Sequence, residues 1–157
     1  MMTNPHQEQE IQEQITSALR AGLGNRLVAV ILFGSRARGE ASDGSDWDML
    51  VIAEGLPKKV FERRMLLLRS LPPRHRGAIS VLAKTPEEFE AHLPSLYLDI
   101  ALDGQVIYDR QNYAAEKLAV LQRLIQRAGL YRERTPAGDV WRWRKEPTAR
   151  WTLQWES

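Results

Sequence analysis

The stretch that most constrains this chain runs from Leu27 to Ala53, LVAVILFGSRARGEASDGSDWDMLVIA. Leu27 to Phe33 is an unbroken apolar run with β-branched residues, the pattern of a strand buried on both faces. Gly34-Ser35 ends it, and Arg36-Ala37-Arg38 reads as a short helical turn closed by Gly39. Backbone amides after Gly34 then stand at a helix N-terminus, where phosphate is attracted. Asp43-Gly44-Ser45 reads as a turn and Asp46 to Ile52 as the next strand. The period of two in a strand puts Asp46 and Asp48 on one face and Trp47 on the other. Adjacent carboxylates repel unless a cation lies between them, and hard oxygen ligands suit Mg²⁺ held jointly with substrate phosphates. The stretch thus offers a phosphate cradle at one strand end and a metal seat at the start of the next.

Gly34-Ser35, ten intervening positions and Asp46-x-Asp48 match the signature of the DNA polymerase beta-like nucleotidyltransferase superfamily. The chain most resembles its small bacterial branch, the minimal nucleotidyltransferases (MNT) often paired with HEPN toxins. The likeness covers about residues 7–108 and is strongest over 27–54. It implies that Gly34 and Ser35 hold the β- and γ-phosphates of a nucleoside triphosphate, with ATP the first candidate. It implies that Asp46 and Asp48 bind Mg²⁺ and serve as the catalytic carboxylates. Arg36 and Arg38 are candidate nucleotide-binding residues, against the plainer reading of exposed charges on a polar turn. The branch implies a protein partner, a HEPN-like toxin.

The family normally supplies a third carboxylate from a neighbouring strand, in a segment resembling Val-Asp-x-x-x-x-Thr-Pro-Glu-Glu. Laying that segment on Ile79 to Glu88 puts Ser80 where the aspartate should stand, and no acid occurs between Glu62 and Glu87 to replace it. Losing a positioned general base typically costs about a hundredfold to ten-thousandfold in rate. Nucleotide binding is therefore better supported than transfer.

The remaining chain reads as an α/β (α+β) domain: a small mixed sheet flanked by helices, with a C-terminal helix and β-hairpin. Asn4-Pro5 opens an amphipathic helix ending near Gly22, and a second helix is expected from Gly55-Leu56-Pro57 to about Ser70, with Val60, Phe61, Met65, Leu67 and Leu68 on its apolar face. Ala78 to Ala83 is a third strand, Thr85-Pro86 starts one or two short helices to Leu102, and Gln105 to Tyr108 is a brief strand. Asp109 caps a longer helix. Val140 to Arg144 and Arg150 to Trp155 alternate with period two and are expected to pair, presenting Trp141, Trp143, Trp151, Leu153 and Trp155 on one face. That face either packs on the domain or on a second subunit, or stacks bases with its interleaved arginines, packing being the simpler reading. Residues 1–109 form the expected nucleotidyltransferase domain and 110–157 a C-terminal extension.

With 157 residues the chain suits one domain with its own core. It has no cysteine, so a metal must be held by oxygen or imidazole, and His6, His75 and His92 stand far apart. No apolar run approaches a membrane span and MMTNPHQEQE is no signal peptide, so a cytoplasmic location is expected. The net charge of +2 is uneven, with ten Lys or Arg against five acids from Arg110 onward.

Three functions are compatible with this pattern. The first is transfer of a nucleoside monophosphate from MgATP to a hydroxyl of a protein partner, as an antitoxin of the minimal type would do. The second is a nucleotide- or partner-binding module whose chemistry is impaired by Ser80. The third is a small-molecule nucleotidyltransferase of the antibiotic-modifying kind, for which the tail leaves little room to build an acceptor pocket.

Overall fold

The computed structural model describes residues 4–147 and 152–155. The first helix, α1 (Pro5–Leu23), starts as expected: the Asn4 side chain accepts from the His6 N–H at 3.1 Å, and Pro5 occupies the first turn. β1 (Leu27–Phe33) leads into the single turn α2 (Gly34–Ala37), and β2 (Trp47–Ala53) follows the polar arc. Then come α3 (Val60–Arg69), β3 (Ile79–Lys84), α4 (Pro86–Ala91), α5 (Ser95–Asp103) and β4 (Gln105–Asp109). The chain continues through α6 (Tyr113–Ala128), β5 (Leu130–Thr135) and β6 (Gly138–Trp143).

Four strands form one mixed sheet in the order β3-β2-β1-β4. β1 runs antiparallel to β2 and to β4, while β2 runs parallel to β3. β1 and β2 are the inner strands, which is why both are apolar on alternate and intervening positions alike. On one face Trp47, Met49 and Val51 pack with Ile15 and Leu19 of α1 and Leu67 of α3. On the other Ile31, Leu50 and Ile52 pack with Phe89 of α4, Leu98 and Ile100 of α5, and Leu118 and Leu121 of α6. The helix after Asp109 therefore shares the core of the main sheet. Asp109 caps it as expected, its carboxylate accepting from the N–H groups of Ala114 and Ala115 at 2.8 and 2.9 Å. Thr85 and Glu88 form a reciprocal capping box at the start of α4.

Two expectations are corrected. α3 starts at Val60, three residues after Pro57, because Gly55 at φ +64° and the buried Leu56 hold the preceding residues as a turn. Its apolar face is also narrower than expected, with Leu67 buried while Val60 and Phe61 are 83% and 73% exposed.

The hairpin is real but its strands differ. β6 (Gly138–Trp143) pairs antiparallel with β5, with Tyr131 opposite Arg142 and Thr135 opposite Gly138. The expected partner strand is not one. Of Arg150 to Trp155, residues 150 and 151 lie outside those described, and 152–155 are not strand. Pro136 and Gly138, at φ +117°, make the turn close to β6, so the nearer segment pairs first. Trp141, Trp143, Leu153 and Trp155 do pack on the domain, and Trp155 Nε1 donates to the carbonyls of Phe89 and His92 at 3.1 and 3.0 Å.

Candidate functional site

β1 ends where β2 begins, and Phe33 lies opposite Asp48 in the antiparallel register. The next residue, Gly34, has φ +76°, and a Cβ on it would run into Asp48 Oδ2. Only glycine allows this turn and this approach together. The cradle and the carboxylate are thus in contact through the absence of a side chain. Asp48 is half-buried, Asp46 is exposed one residue before β2, and Trp47 between them is buried on the α1 side. Asp46 precedes the strand that was expected to carry both carboxylates, yet it stands near enough for its charge to act on Asp48.

Burial pushes the Asp48 carboxyl above its ordinary value, the neighbouring Asp46 charge pushes it further, and Arg38 opposes both. A cation between the two aspartates would relieve that cost. This electrostatic state fits a hard divalent ion held by Asp46 and Asp48 with help from a ligand's own oxygens. Among the described residues there is no cluster of three or more His, Cys, Asp or Glu able to hold a metal unaided. The reason is visible in the register. Ser80 of β3 lies opposite Asp48 in the parallel pair, on the same face, where a third carboxylate would complete the set. β3 is the edge strand, and Ser80 is exposed.

The two arginines of the turn go opposite ways. Arg36 is buried, stacking 4.4 Å over the Trp47 ring. Its Nε and Nη2 donate to the Ser45 carbonyl at 3.2 and 2.7 Å, and Nη1 pairs with Glu8 of α1 at 3.1 Å. Arg36 therefore ties the polar arc to α1 just before Asp46, and its guanidinium is occupied there. Arg38 faces the other side, where Nε pairs with Glu40 at 3.1 Å and Nη1 with Asp103 of α5 at 3.9 Å. The half-buried Ser35 accepts the Glu40 N–H on its carbonyl at 2.9 Å.

Beside Gly34 opens a cavity of about 550 Å³, walled by α2, α5 and the β5–β6 hairpin. Arg38, Glu40, Asp103, Arg132 and Arg134 line it with Gly34. Arg132 is fixed by Asp103 at 2.6 and 2.9 Å and by Asp99 at 3.2 Å, while Trp141 Nε1 donates to Asp99 at 3.1 Å. Sequence reasoning missed this wall. Its signal was the alternation Tyr131-Arg132-Glu133-Arg134 between the helix-ending Gly129 and Pro136, masked by the scarcity of apolar residues.

This geometry sits inside a recognised family. The profile of the family described as "Polymerase beta, Nucleotidyltransferase" matches residues 13–113, more than half of the chain. The protein is a member of the polymerase beta nucleotidyltransferase family. A candidate protein adenylyltransferase of Methanocaldococcus jannaschii is 31% identical over 121 residues, spanning 74% of this chain and 82% of the relative. A second from the same organism is 26% identical over 102 residues, spanning 64% and 98%. Solved structures carry the same fold at lower identity. One comes from a toxin–antitoxin crystal structure with AMP-PNP, at TM-score 0.51 and 19% identity over 74% of this chain and 90% of its own. Another comes from a tri-AMPylated HEPN toxin of Shewanella oneidensis in complex with MNT antitoxin, at TM-score 0.53 and 19% identity over 76% and 87%. In this nucleotidyltransferase fold Gly34 and Asp48 meet at one end of the inner strands, with Ser35 and Asp46 beside them in the chain.

Proposed function

We propose that this protein binds MgATP at Gly34, Ser35, Asp46 and Asp48 and transfers AMP to a hydroxyl of a protein partner. The observation that carries the reading is the contact of Gly34 with Asp48, which sets a glycine turn against a carboxylate pair whose charge calls for a cation. The relatives and neighbours support the chemistry, since they include candidate protein adenylyltransferases and a complex holding an AMPylated HEPN toxin. A HEPN-like toxin is the corresponding partner here.

In the transfer, the acceptor oxygen bonds to the α-phosphorus, the bond from that phosphorus to the bridging oxygen breaks, and pyrophosphate leaves. Asp46 and Asp48 would hold Mg²⁺ with the phosphate oxygens, and the ion would neutralise charge developing on the leaving pyrophosphate. Gly34 lets the phosphate chain approach the backbone without a side chain in the way. Arg36 serves the site indirectly by holding the arc that delivers Asp46, whereas Arg38 stands on the cavity side. Removal of the proton from the acceptor is the step for which the chain supplies least, because Ser80 faces Asp48 where a carboxylate base would stand.

That last observation favours a second reading, in which nucleotide is bound but transfer is lost or awaits a carboxylate from elsewhere. Calorimetric titration of ATP, first with Mg²⁺ and then with EDTA, tests the site. Binding should need Mg²⁺ and should fall in Asp46→Asn, and no binding in wild type overturns both readings. α-Labelled ATP with a HEPN-family partner protein separates the two. Label retained on the partner and lost with Asp46→Asn supports transfer, while binding without label supports the second reading, and Ser80→Asp should then restore labelling.

A further inference from the structure

The hairpin is joined to the Gly34 turn by one shared carboxylate. Glu40 Oε1 lies 2.5 Å from Arg134 Nη2 of β5, and Glu40 Oε2 lies 3.1 Å from Arg38 Nε. All three side chains line the cavity that Gly34 also lines. Two guanidiniums thus converge on the phosphate end of the site with a carboxylate between them.

The two cavity-facing arginines of β5 differ in how firmly they are held. Arg132 has 17% of its side chain exposed and is bound to both oxygens of Asp103, to Asp99, and to Asp139 at 3.6 Å. Arg134 has 69% exposed and pairs, besides Glu40, with Asp139 at 3.7 Å. A solvated ion pair between long side chains gains little in water and exchanges readily. A triphosphate presents more charge than one carboxylate and more acceptor oxygens to a planar guanidinium.

We propose that Arg134 is a phosphate-binding residue of the nucleotide site and that Glu40 holds its place, together with that of Arg38, until the triphosphate displaces the carboxylate. The proposal rests on the nucleotide reading above and extends it from the core onto the C-terminal hairpin. Glu40 acts as a stand-in anion: it keeps two like charges together at the cavity wall and is the group that the phosphates replace. The hairpin becomes the outer wall of the triphosphate subsite, with Arg132 anchoring it to α5 and Arg134 free to turn inward.

Calorimetric titrations of MgATP and of AMP, which lacks the β- and γ-phosphates, into wild type, Arg134→Gln, Arg134→Lys, Glu40→Gln and the double Gln variant test this. Circular dichroism on each variant checks that the fold is kept. Arg134→Gln should weaken MgATP about tenfold with AMP little changed. Arg134→Lys should recover only part of that loss, since it keeps the charge without the planar fork. Glu40→Gln should tighten MgATP severalfold, and that gain should shrink in the Arg134→Gln background. Wild-type affinity for MgATP in Arg134→Gln overturns the proposal, as does a Glu40→Gln gain that persists undiminished in the double variant. A wild type that does not bind MgATP overturns the nucleotide reading itself, so the two failures are told apart.

Discussion

β1 and β2 pair across a glycine turn and a polar arc, with nearly every strand residue buried and one buried arginine holding the arc, whereas β5 and β6 pair as a largely exposed ribbon. Its cross-strand side-chain contacts include charge pairs, Arg142 with Glu133 and both Arg132 and Arg134 with Asp139. Both units wall the same cavity. The inner pair is specified by burial, which a one-residue slip would destroy, so it can present Asp48 against Gly34 with little freedom. The outer pair is held by its own ladder, by Arg132 on Asp99 and Asp103 and by two docked tryptophans, while Arg134 and Arg142 make solvated ion pairs. Solvated pairs of this kind exchange readily, which suits the triphosphate subsite proposed above.

Substitutions in the two units should therefore differ in size and in kind. The largest effect is expected from Arg36→Ala, which leaves the Ser45 carbonyl and Glu8 without their partner and uncovers Trp47. About 3 kcal/mol of stability should be lost in chemical denaturation, toward the lower end for breaking a buried pair because Glu8 is partly exposed. A loss below about 1 kcal/mol would mean that the arc is held by something else.

Gly34→Ala comes next, with about 2 kcal/mol expected from the left-handed backbone and the collision with Asp48. MgATP binding should be lost even where the variant folds, and retained binding would show that the close approach is dispensable.

Asp48→Asn should act in the opposite direction. Burial and Asp46 raise this carboxyl, so its protonated form is favoured in the fold. The destabilisation is absent below the ordinary carboxyl value of 3.8, grows as pH rises past it, and is complete above the raised folded value. Thermal melts should show a modest gain for Asp48→Asn at pH 7 without Mg²⁺, and none at pH 3. Mg²⁺ added together with ATP should stabilise wild type alone. A variant less stable than wild type at pH 7 would remove the strained carboxylate pair from the account.

The smallest effect belongs to the hairpin. Arg142→Ala breaks an exposed cross-strand pair and should cost at most about 0.5 kcal/mol, a difference that salt removes. A loss as large as that of Arg36→Ala would erase the contrast between the units.

Much of this was legible in one dimension. The apolar runs of β1 and β2, the Gly34-Ser35 break and the caps at Asn4, Thr85 and Asp109 all follow from local periodicity and turn chemistry. The absence of an acid across from Asp48 was also readable, since the parallel register brings Ser80 to the place that the family pattern indicated. Arg36 and Arg38 were not separable in this way. Two residues apart on a single helical turn, they look alike in sequence, and only the packing of α1 against β2 decides that one is buried on Trp47 while the other faces the cavity.

The hairpin shows the same limit from the other side. Tyr131 to Arg134 has almost no apolar signal, and its pairing with β6 depends on the turn at Pro136 and on Asp99 and Asp103 of α5, far away in the chain. The sequence by itself determined the elements whose stability is local or comes from burying their own apolar faces. Only the tertiary structure decided which charges meet, because a charge is satisfied by whichever opposite charge the fold brings within reach, and sequence spacing does not encode that distance.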